Sequence, residues 1–506
     1  MDKYELFDSA FEEMLKSNLT ELPPDDIVKN VTPFKKSLNR VFTGLAFSAL
    51  TLNLWALNYI LPFIGSVFSI LGLRTLRKEN KWFFGCYVIT CIRAVRIFAL
   101  LIVNSTIYSS SLNGIAIALT IFDMLLMLLF LLLLRKAIGT LQQKAGILSD
   151  TKRITTLILW YVLLCVLAFI EYTGFILGWG MIIGYIFIIR SLYKLSKETE
   201  DTGYAIESAP VRISDRALSV ILTLTIAVCC LGGNLLFGRY EMKWEIKSDT
   251  EHAQVQQIKE HLISLGFPAH ILEDMTAEEI KECEGATEIF TDVDEHPINK
   301  GRKVTKTYSY SSGNTYHHTS TVYDVRELRI TGVAVKLPTE RESWRLIHHF
   351  EWTVNPGFYG TESIQLWTQN ERSEGWMDKA EATGRVLYSK DGVSYTAPYF
   401  SLGKEIYTYN SVFFGKKSAN DTIATFSLPN KAERQRGYVT YEIKELSDGY
   451  IVDSWINYTH QQTPFQFPVR TAAETRMSNN LNESGAFRTI QDALQFSTHN
   501  GKAEGF

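Results

Sequence analysis

The sequence predicts a membrane bundle of α-helices in the first half of the chain and an all-β, sandwich-like domain in the second half. Two observations support this division. Residues 41–238 hold almost all of the long apolar runs, whereas residues 239–506 alternate short apolar and polar segments. The 506 residues allow several units, because a domain typically contains about 100 to 200 residues.

Charge and cysteine content exclude several classes of protein. The formal net charge is -3 and Lys and Arg form no extended basic cluster, so we expect no nucleic-acid partner. Of the six cysteines, Cys283 alone lies beyond residue 238, so the second half must be stabilised by its own core and not by internal disulfides. The sequence also lacks a phosphate-binding loop of the form G-x-x-x-x-G-K-[ST], which argues against an ATP-driven pump.

Residues 1–40 are polar and begin with an amphipathic segment. Its apolar residues recur at helical spacing, at Tyr4, Phe7, Phe11 and Leu15. Acidic residues occupy the opposite face, which disfavours binding to anionic lipid. We therefore expect a cytoplasmic helix that docks on the protein's own cytoplasmic loops.

Residues 41–238 predict about seven membrane spans, each of which needs roughly 20 apolar residues. Residues 41–73 and 154–189 are too long for one span, and each is flanked by Lys and Arg at both ends. The positive-inside rule then places both ends of each stretch in the cytoplasm, so each predicts a helical hairpin. The first is expected to turn near Asn58, with a re-entrant pair as the alternative; the second is expected to turn near residues 171–174.

Three more spans complete the predicted bundle, at residues 83–103, 114–134 and 217–237. The loop between the first two carries no charge, and basic residues follow the second. This pattern places the N-terminus in the cytoplasm and residues 239–506 outside it. The expected location is the cell membrane, with the lipid bilayer around the bundle and an extracytoplasmic C-terminal domain.

Three charged residues lie near the middle of the third and fourth spans: Arg93, Arg96 and Asp123. At about 1.5 Å per residue, Arg96 and Asp123 have similar depth, and Arg93 lies about one turn deeper. A charge at mid-membrane costs at least about 2.5 kcal/mol and suggests a functional site. The functional hypothesis is a gate or ion-coupling site. The structural hypothesis, an ion pair that leaves no charge unpaired, is favoured because transport paths usually recruit several spans.

Residues 239–285 predict a small helical hairpin between the membrane and the β-domain. Gly266 and Pro268 separate its two helical segments. Thr276 followed by Glu279 has the spacing of a capping box and starts the second helix.

Residues 286–470 predict an antiparallel sandwich or barrel of about ten strands. Alternating runs are separated by turn signals, among them Ser-Ser-Gly-Asn, Asp-Gly and Ser-Asp-Gly. Residues 471–506 are a polar tail, in which residues 487–496 predict one short helix.

Two histidine pairs resemble a metal site more than any other pattern: His317 with His318, and His348 with His349. Adjacent residues of a strand point to opposite faces, so each pair offers one ligand to any single site. No H-E-x-x-H or C-x-x-C accompanies them. We therefore predict no metal, no cofactor and no catalytic residues.

Residues 358–376 combine aromatic, glycine and polar residues in a predicted loop. Loops held by a rigid scaffold often carry binding residues, so this segment is the candidate binding surface. Its aromatic residues are Tyr359, Trp367 and Trp376. Most other aromatic residues of this half are expected in the core.

Residues 57–83 (LNYILPFIGSVFSILGLRTLRKENKWF) and 262–286 (LISLGFPAHILEDMTAEEIKECEGA) resemble uncharacterised multi-pass membrane proteins of Gram-positive bacteria. No function is known for that family. The resemblance implies a cell-membrane location with an exported domain that faces the wall, and it transfers no active site.

Three hypotheses of function follow. The leading one is a non-enzymatic, membrane-anchored binding or sensor protein whose β-domain meets a cell-wall, peptide or protein ligand. The alternative is a transporter or channel component that uses the Arg93, Arg96 and Asp123 cluster. A membrane-bound hydrolase is the third, and it depends on the histidine pairs.

Overall fold

The computed structural model describes two compact units. The described residues are 34–48, 57–170, 172, 174–202, 204, 206, 208–248, 253–309, 315–368, 375–378, 381–411, 415–446, 451–478, 485–498 and 503–505. The first unit contains the described residues up to 233 except 105–107, and the second contains 105–107 and the chain from residue 234. The predicted N-terminal amphipathic helix and the Ser-Ser-Gly-Asn and Ser-Asp-Gly turns lie outside the described residues.

The first unit is helical, as predicted. Its helices are α1 (Phe34–Ser48), α2 (Leu57–Leu76), α3 (Lys81–Val103), α4 (Ala116–Lys144), α5 (Lys152–Phe169), α6 (Phe175–Glu200) and α7 (Asp215–Phe237). A 3-10 helix, Ile107–Ile115, lies between α3 and α4. Six helices, α2 to α7, are long and apolar enough to cross a membrane. The first of the seven predicted spans falls on α1 and on residues 49–56, which are not described.

Residues 41–73, the first predicted hairpin, fall on α1, on α2 and on residues 49–56, which are not described. Asn58, near which the turn was predicted, is the second residue of α2. The second predicted hairpin corresponds to α5 and α6, which are joined by residues 170–174 as the polar turn signal predicted.

Small residues allow α1 and α2 to pack closely. A Cβ atom added to Gly65 would lie 2.6 Å from the carbonyl oxygen of Gly44. One added to Gly72 would lie 2.5 Å from the carbonyl oxygen of Ser37. Across the same contact Thr75 Oγ1 donates a hydrogen bond of 2.7 Å to Ser37 Oγ. Close approach of backbones at small residues is the usual basis of helix association in membranes.

Gly72→Ala should therefore destabilise the helical unit, because the added methyl group meets backbone that cannot move aside. We expect a loss of about 1 to 3 kcal/mol in the free energy of unfolding, as for overpacking elsewhere. Thermal unfolding of the full chain in detergent measures the effect. Gly184→Ala is the matched control, since a Cβ atom at Gly184 of α6 meets nothing within 4 Å. Equal stability of the two variants would contradict this packing.

The second unit is mostly antiparallel sheet. Its strands are β1 (Glu245–Ile246), β2 (Glu288–His296), β3 (Arg302–Ser309), β4 (Thr315–Val322), β5 (Leu328–Lys336), β6 (Ser343–Trp352), β7 (Glu362–Thr368), β8 (Trp376–Asp378), β9 (Thr383–Lys390), β10 (Val393–Pro398), β11 (Ser401–Ser411), β12 (Gly415–Phe426), β13 (Glu433–Glu445), β14 (Ile451–Gln461), β15 (Phe487–Ser497) and β16 (Glu504–Gly505). Its helices are α8 (Ala253–Ser264), α9 (Ala269–Asp274), α10 (Ala277–Lys281) and α11 (Ala472–Met477).

Two sheets enclose the main core. The eight-stranded sheet has the order β1-β10-β9-β13-β6-β5-β2, with β8 also paired to β13. The six-stranded sheet has the order β11-β12-β7-β14-β15-β16, and β3 and β4 form a separate ribbon. Alternate residues of both sheets meet in one apolar cluster, which includes Leu346, Phe350, Ile364, Leu366, Ile456 and Tyr458. This arrangement is sandwich-like, as predicted.

Three short helices, not two, cover the other face of the eight-stranded sheet. Apolar residues of α8, α9 and α10 form one cluster with the sheet residues Val333, Val335, Ile347, Leu387 and Tyr438. The predicted capping box is present: Glu279 N donates to Thr276 Oγ1 at 3.3 Å, and Thr276 N donates to Glu279 Oε2 at 3.0 Å. Gly266, at φ +102°, follows α8 where the helix was predicted to stop.

Local signals identified the strands better than the connections between them. The Asp-Gly turn is confirmed, with Asp391 at φ 51° and Gly392 at φ 77° between β9 and β10. Residues 286–470 contain thirteen described strands, more than the ten predicted. β13 and β14 follow each other in the chain but belong to different sheets.

The short helix predicted at residues 487–496 is wrong, because this segment is β15. Its buried residues Ile490 and Leu494 are four positions apart, which fits one face of a helix and one face of a strand equally well. Phe496, two positions later, completes the strand face that enters the core. Pairing with β14 from Ile451 to Gln461 decides between the two conformations.

Several polar contacts join the two sheets within the core, among them one from His348. His348 of β6 is 1% exposed, and its Nε2 forms a hydrogen bond of 2.6 Å with Ser454 Oγ of β14. Burial lowers the pKa of His348 from 6.5 to about 4, although the charge of Asp492 acts in the opposite direction. The imidazole is therefore neutral in the folded protein at neutral pH.

This histidine should make stability depend on pH. Below its unfolded pKa of 6.5 the unfolded chain binds a proton that the folded protein does not bind until about pH 4. The free energy of unfolding should therefore fall as pH decreases from 6.5 to 4, by roughly 3 kcal/mol from this group. Denaturant titrations of the full chain in detergent measure it. His348→Gln should flatten this dependence, whereas the exposed His317→Gln should not; equal slopes in both variants would contradict the assignment.

Candidate functional site

The candidate site lies on the outer face of the six-stranded sheet. Ile364 and Leu366 of β7 enter the core, so the residues between and after them, Gln365 and Trp367, face the opposite side. The register with β14 places Asn457 opposite Gln365 and Trp455 opposite Trp367. Strands β11 and β12 continue this face on one side.

A cleft of about 190 Å³ opens on this face. Its lining comes from β7, β11, β12 and α11: Gln365, Trp367, Tyr407, Tyr409, Ala419, Asp421 and Arg476. Aromatic rings, a carboxylate, an amide and a guanidinium group therefore meet in one small concavity, which is the usual composition of a ligand site.

A hydrogen-bond network fixes the polar floor of the cleft. Gln365 Nε2 donates to Asp421 Oδ2 at 2.6 Å and to Tyr407 OH at 2.8 Å. Tyr407 OH in turn donates to Asp421 Oδ2 at 2.5 Å. Gln365 Oε1 accepts from Asn457 Nδ2 at 3.0 Å and from Arg476 Nε. Because Gln365 and Asn457 are 3% and 1% exposed, the network is anchored in the interior and preorganised at the surface.

Tyr407 is a neutral hydrogen-bond donor in the floor of the cleft. Burial, followed by the hydrogen bond to Asp421 and the charge of that carboxylate, raises the pKa of Tyr407 above its ordinary value of 10. The phenol therefore remains a neutral donor at physiological pH. It donates to one oxygen of Asp421.

Three aromatic residues line the cleft, and Trp455 supports one of them from outside the lining. The rings of Trp367 and Trp455 are stacked, with centroids 5.9 Å apart and an interplanar angle of 28°. Tyr407 and Tyr409, on alternate positions of β11, have centroids 6.1 Å apart. Flat apolar rings beside a fixed set of donors and acceptors suit a small ligand with one apolar face and a polar edge.

The three aromatic residues selected from the sequence have different environments. Trp367 lines the cleft. Tyr359 precedes β7, is 36% exposed and is not part of the lining. Trp376 is 1% exposed and belongs to the core, so the prediction that it lies on a binding surface is wrong. The segment contributes two residues to the cleft, Gln365 and Trp367, and β11, β12 and α11 supply partners that no local pattern identified.

The histidine pairs are not brought together. His317 and His318 are exposed on β4, whereas His348 and His349 point to opposite faces of β6, as period two requires. Within the described ranges no group of three or more His, Cys, Asp or Glu side chains is placed to hold a metal ion.

His349 belongs to a buried network that joins α9 to the eight-stranded sheet. Asp274 is hydrogen-bonded to His349 Nε2 at 3.0 Å and accepts from Arg436 Nε at 2.9 Å. Burial alone would raise the pKa of Asp274, but the hydrogen bond from His349 and the charge of Arg436 outweigh it, so the pKa lies below its usual value. All three side chains are at most 6% exposed, and we assign them a structural role.

In the helical unit the structure brings the three predicted charges together. Asp123 Oδ1 of α4 lies 2.8 Å from Arg96 Nη2 and 3.3 Å from Arg93 Nε, both on α3. Arg93 also donates to Met127 Sδ at 3.0 Å. Two guanidinium groups thus share one carboxylate, and the cluster carries one net positive charge.

Sequence reasoning missed four long-range ion pairs among the described residues of this unit. They join Asp215 to both Arg40 and Arg74, Lys144 to Glu79, and Arg153 to Glu198. Asp215 starts α7, and its partners lie 175 and 141 residues earlier in the chain. No local signal relates residues so far apart.

Comparisons with known proteins leave the function open. No family model and no curated protein matches this chain. Among solved structures, a "Pore forming protein" is similar at 8% identity and a TM-score of 0.19, covering 40% of this chain and all of that chain. "Clostridium perfringens delta-toxin" is similar at 7% identity and a TM-score of 0.14, covering 40% of this chain and 93% of that chain. Scores this low support no conclusion about this chain.

Proposed function

We propose that this protein is a multi-pass membrane protein whose β-unit lies outside the cytoplasm and binds a component of the cell envelope through the cleft at Trp367. The six apolar helices support attachment to the membrane. The basic residues that flank the predicted hairpins support the orientation. A relation to the uncharacterised Gram-positive membrane proteins is part of the same proposal.

The observation that carries the proposal is the preorganised floor of the cleft. Gln365 uses its amide oxygen and nitrogen on four partners, so its orientation is determined before any ligand arrives. Ligand binding is strengthened when the site pays no ordering cost, since the groups that contact the ligand are already in place. A surface made only for solubility does not need such a network.

Binding to the envelope is tested with the full chain in lipid nanodiscs and purified Gram-positive wall sacculi. We expect the sacculi to retain the protein and Trp367→Ala to weaken retention about tenfold, because the variant loses an aromatic wall. Tyr316→Ala is the matched control, since Tyr316 is a 56% exposed aromatic residue on the separate β3–β4 ribbon. Equal retention of both variants, or no retention of the unmodified protein, would contradict the proposal.

A second candidate function is a transporter or channel component. The shared carboxylate of Asp123 favours it, because two guanidinium groups with one partner leave a net positive charge that attracts anions. Ion conduction requires a site that binds an ion and also releases it. We expect a pair of arginines that share one aspartate to bind an anion more weakly than a pair without a carboxylate partner.

Chloride flux in proteoliposomes tests this candidate. The unmodified chain should pass chloride above protein-free vesicles, and Asp123→Asn should abolish the flux because two unpaired guanidinium groups hold the anion too tightly. Asp150→Asn, in the connection after α4, is the control for a lost carboxylate, since the Asp150 side chain is 44% exposed. Flux restored by adding Arg96→Gln to Asp123→Asn would show a structural ion pair, and absence of flux in the unmodified protein would remove the candidate.

A further inference from the structure

We infer that the ligand of the Trp367 cleft is a saccharide, an assignment that rests on the proposed function and specifies its ligand class. Three features lead to it: the size of the cleft, the pairing of flat rings with fixed hydrogen-bond groups, and the position of the cleft on the face of the sheet.

The size of the cleft suits one ring of a ligand. Its volume of about 190 Å³ lies below the roughly 300 to 1,000 Å³ of sites that enclose drug-sized molecules. The lining residues come from one sheet face and α11, so a longer chain can extend beyond the cleft. A polymer of small rings would place one ring in the cleft and extend its other rings beyond it.

The chemistry of the lining matches a sugar ring. A pyranose presents C–H groups on its faces, which pack on aromatic rings, and hydroxyl groups around its edge. Trp367, supported by its stacked neighbour Trp455, supplies such a ring. Asp421 has one oxygen committed to Gln365 and Tyr407, and its carboxylate has further acceptor capacity for hydroxyl donors. A hydroxyl donating to a carboxylate forms a charge-assisted hydrogen bond.

The alternatives fit less well. An extended peptide usually adds to the edge of a sheet, and β11 is the edge strand, whereas the cleft lies on the face. A polyphosphate ligand would meet the carboxylate of Asp421 within the cleft. A quaternary ammonium ligand would meet the guanidinium group of Arg476, which lines the same cleft. A neutral ring with hydroxyl groups is repelled neither by the carboxylate of Asp421 nor by the guanidinium group of Arg476.

Calorimetry with the full chain in nanodiscs tests the assignment. The probes are a β-1,4-linked N-acetylglucosamine tetramer, peptide-free glycan strands released from sacculi by an amidase, and the stem peptides released in the same digestion. We expect one or both glycans to bind and the stem peptides not to bind. Trp367→Ala and Asp421→Asn should each weaken glycan binding about tenfold, through lost ring stacking and a lost charge-assisted hydrogen bond.

Conservative variants separate binding from folding. Trp367→Phe keeps a flat ring and should retain glycan affinity within about threefold, while Tyr316→Ala should not change it. Binding of the stem peptides without the glycans would overturn the saccharide assignment, as would glycan binding that Trp367→Ala and Asp421→Asn leave unchanged. Sacculi retained through Trp367 with neither glycan bound would also overturn it, and the proposed function would stand. If neither the sacculi nor the glycans bound the protein, the saccharide assignment and the proposed function would both be overturned.

Discussion

The alternation of side chains along β7 and β14 is the constraint on which the β-unit depends. Burial of Ile364 and Leu366 against the opposite sheet requires Gln365 and Trp367 to face outward. A shift of one residue in either strand would exchange the core and cleft residues, so the apolar core also sets the geometry of the polar floor. The packed strands of the sandwich therefore hold the cleft residues in place, although most core residues do not contact the cleft.

Buried polar groups connect the layers on either side of this core. His348 links the two sheets through Ser454, and Asp274 links α9 to the eight-stranded sheet through His349 and Arg436. A buried polar group without a partner is costly, so contacts of this kind restrict how the layers can be arranged. The adjacent histidines of β6 thus act on opposite faces of one strand, each in a structural role.

In the helical unit the cost of a buried polar group without a partner applies to charged side chains. Membrane spans satisfy their backbone groups as helices, which leaves side chains as the remaining polar groups to be paired. Asp123 pairs with two arginines of the neighbouring helix, and Asp215 pairs with one arginine from each of α1 and α2. These contacts join neighbouring helices of the unit, together with hydrogen bonds such as the one from Thr75 of α2 to Ser37 of α1.

By itself the sequence determined the division into a helical and a β-rich half, the capping box at Thr276 and the Asp-Gly turn, because apolar length, period and turn chemistry are local properties. It also placed Arg96 and Asp123 at similar depth, with Arg93 about one turn deeper. Only the tertiary structure decided that residues 487–496 form a strand, that Trp376 is buried, and that Gln365 joins Tyr407, Asp421 and Arg476 in one cleft. These outcomes depend on which distant strands become neighbours. A residue's own sequence surroundings do not encode its partners across a sheet.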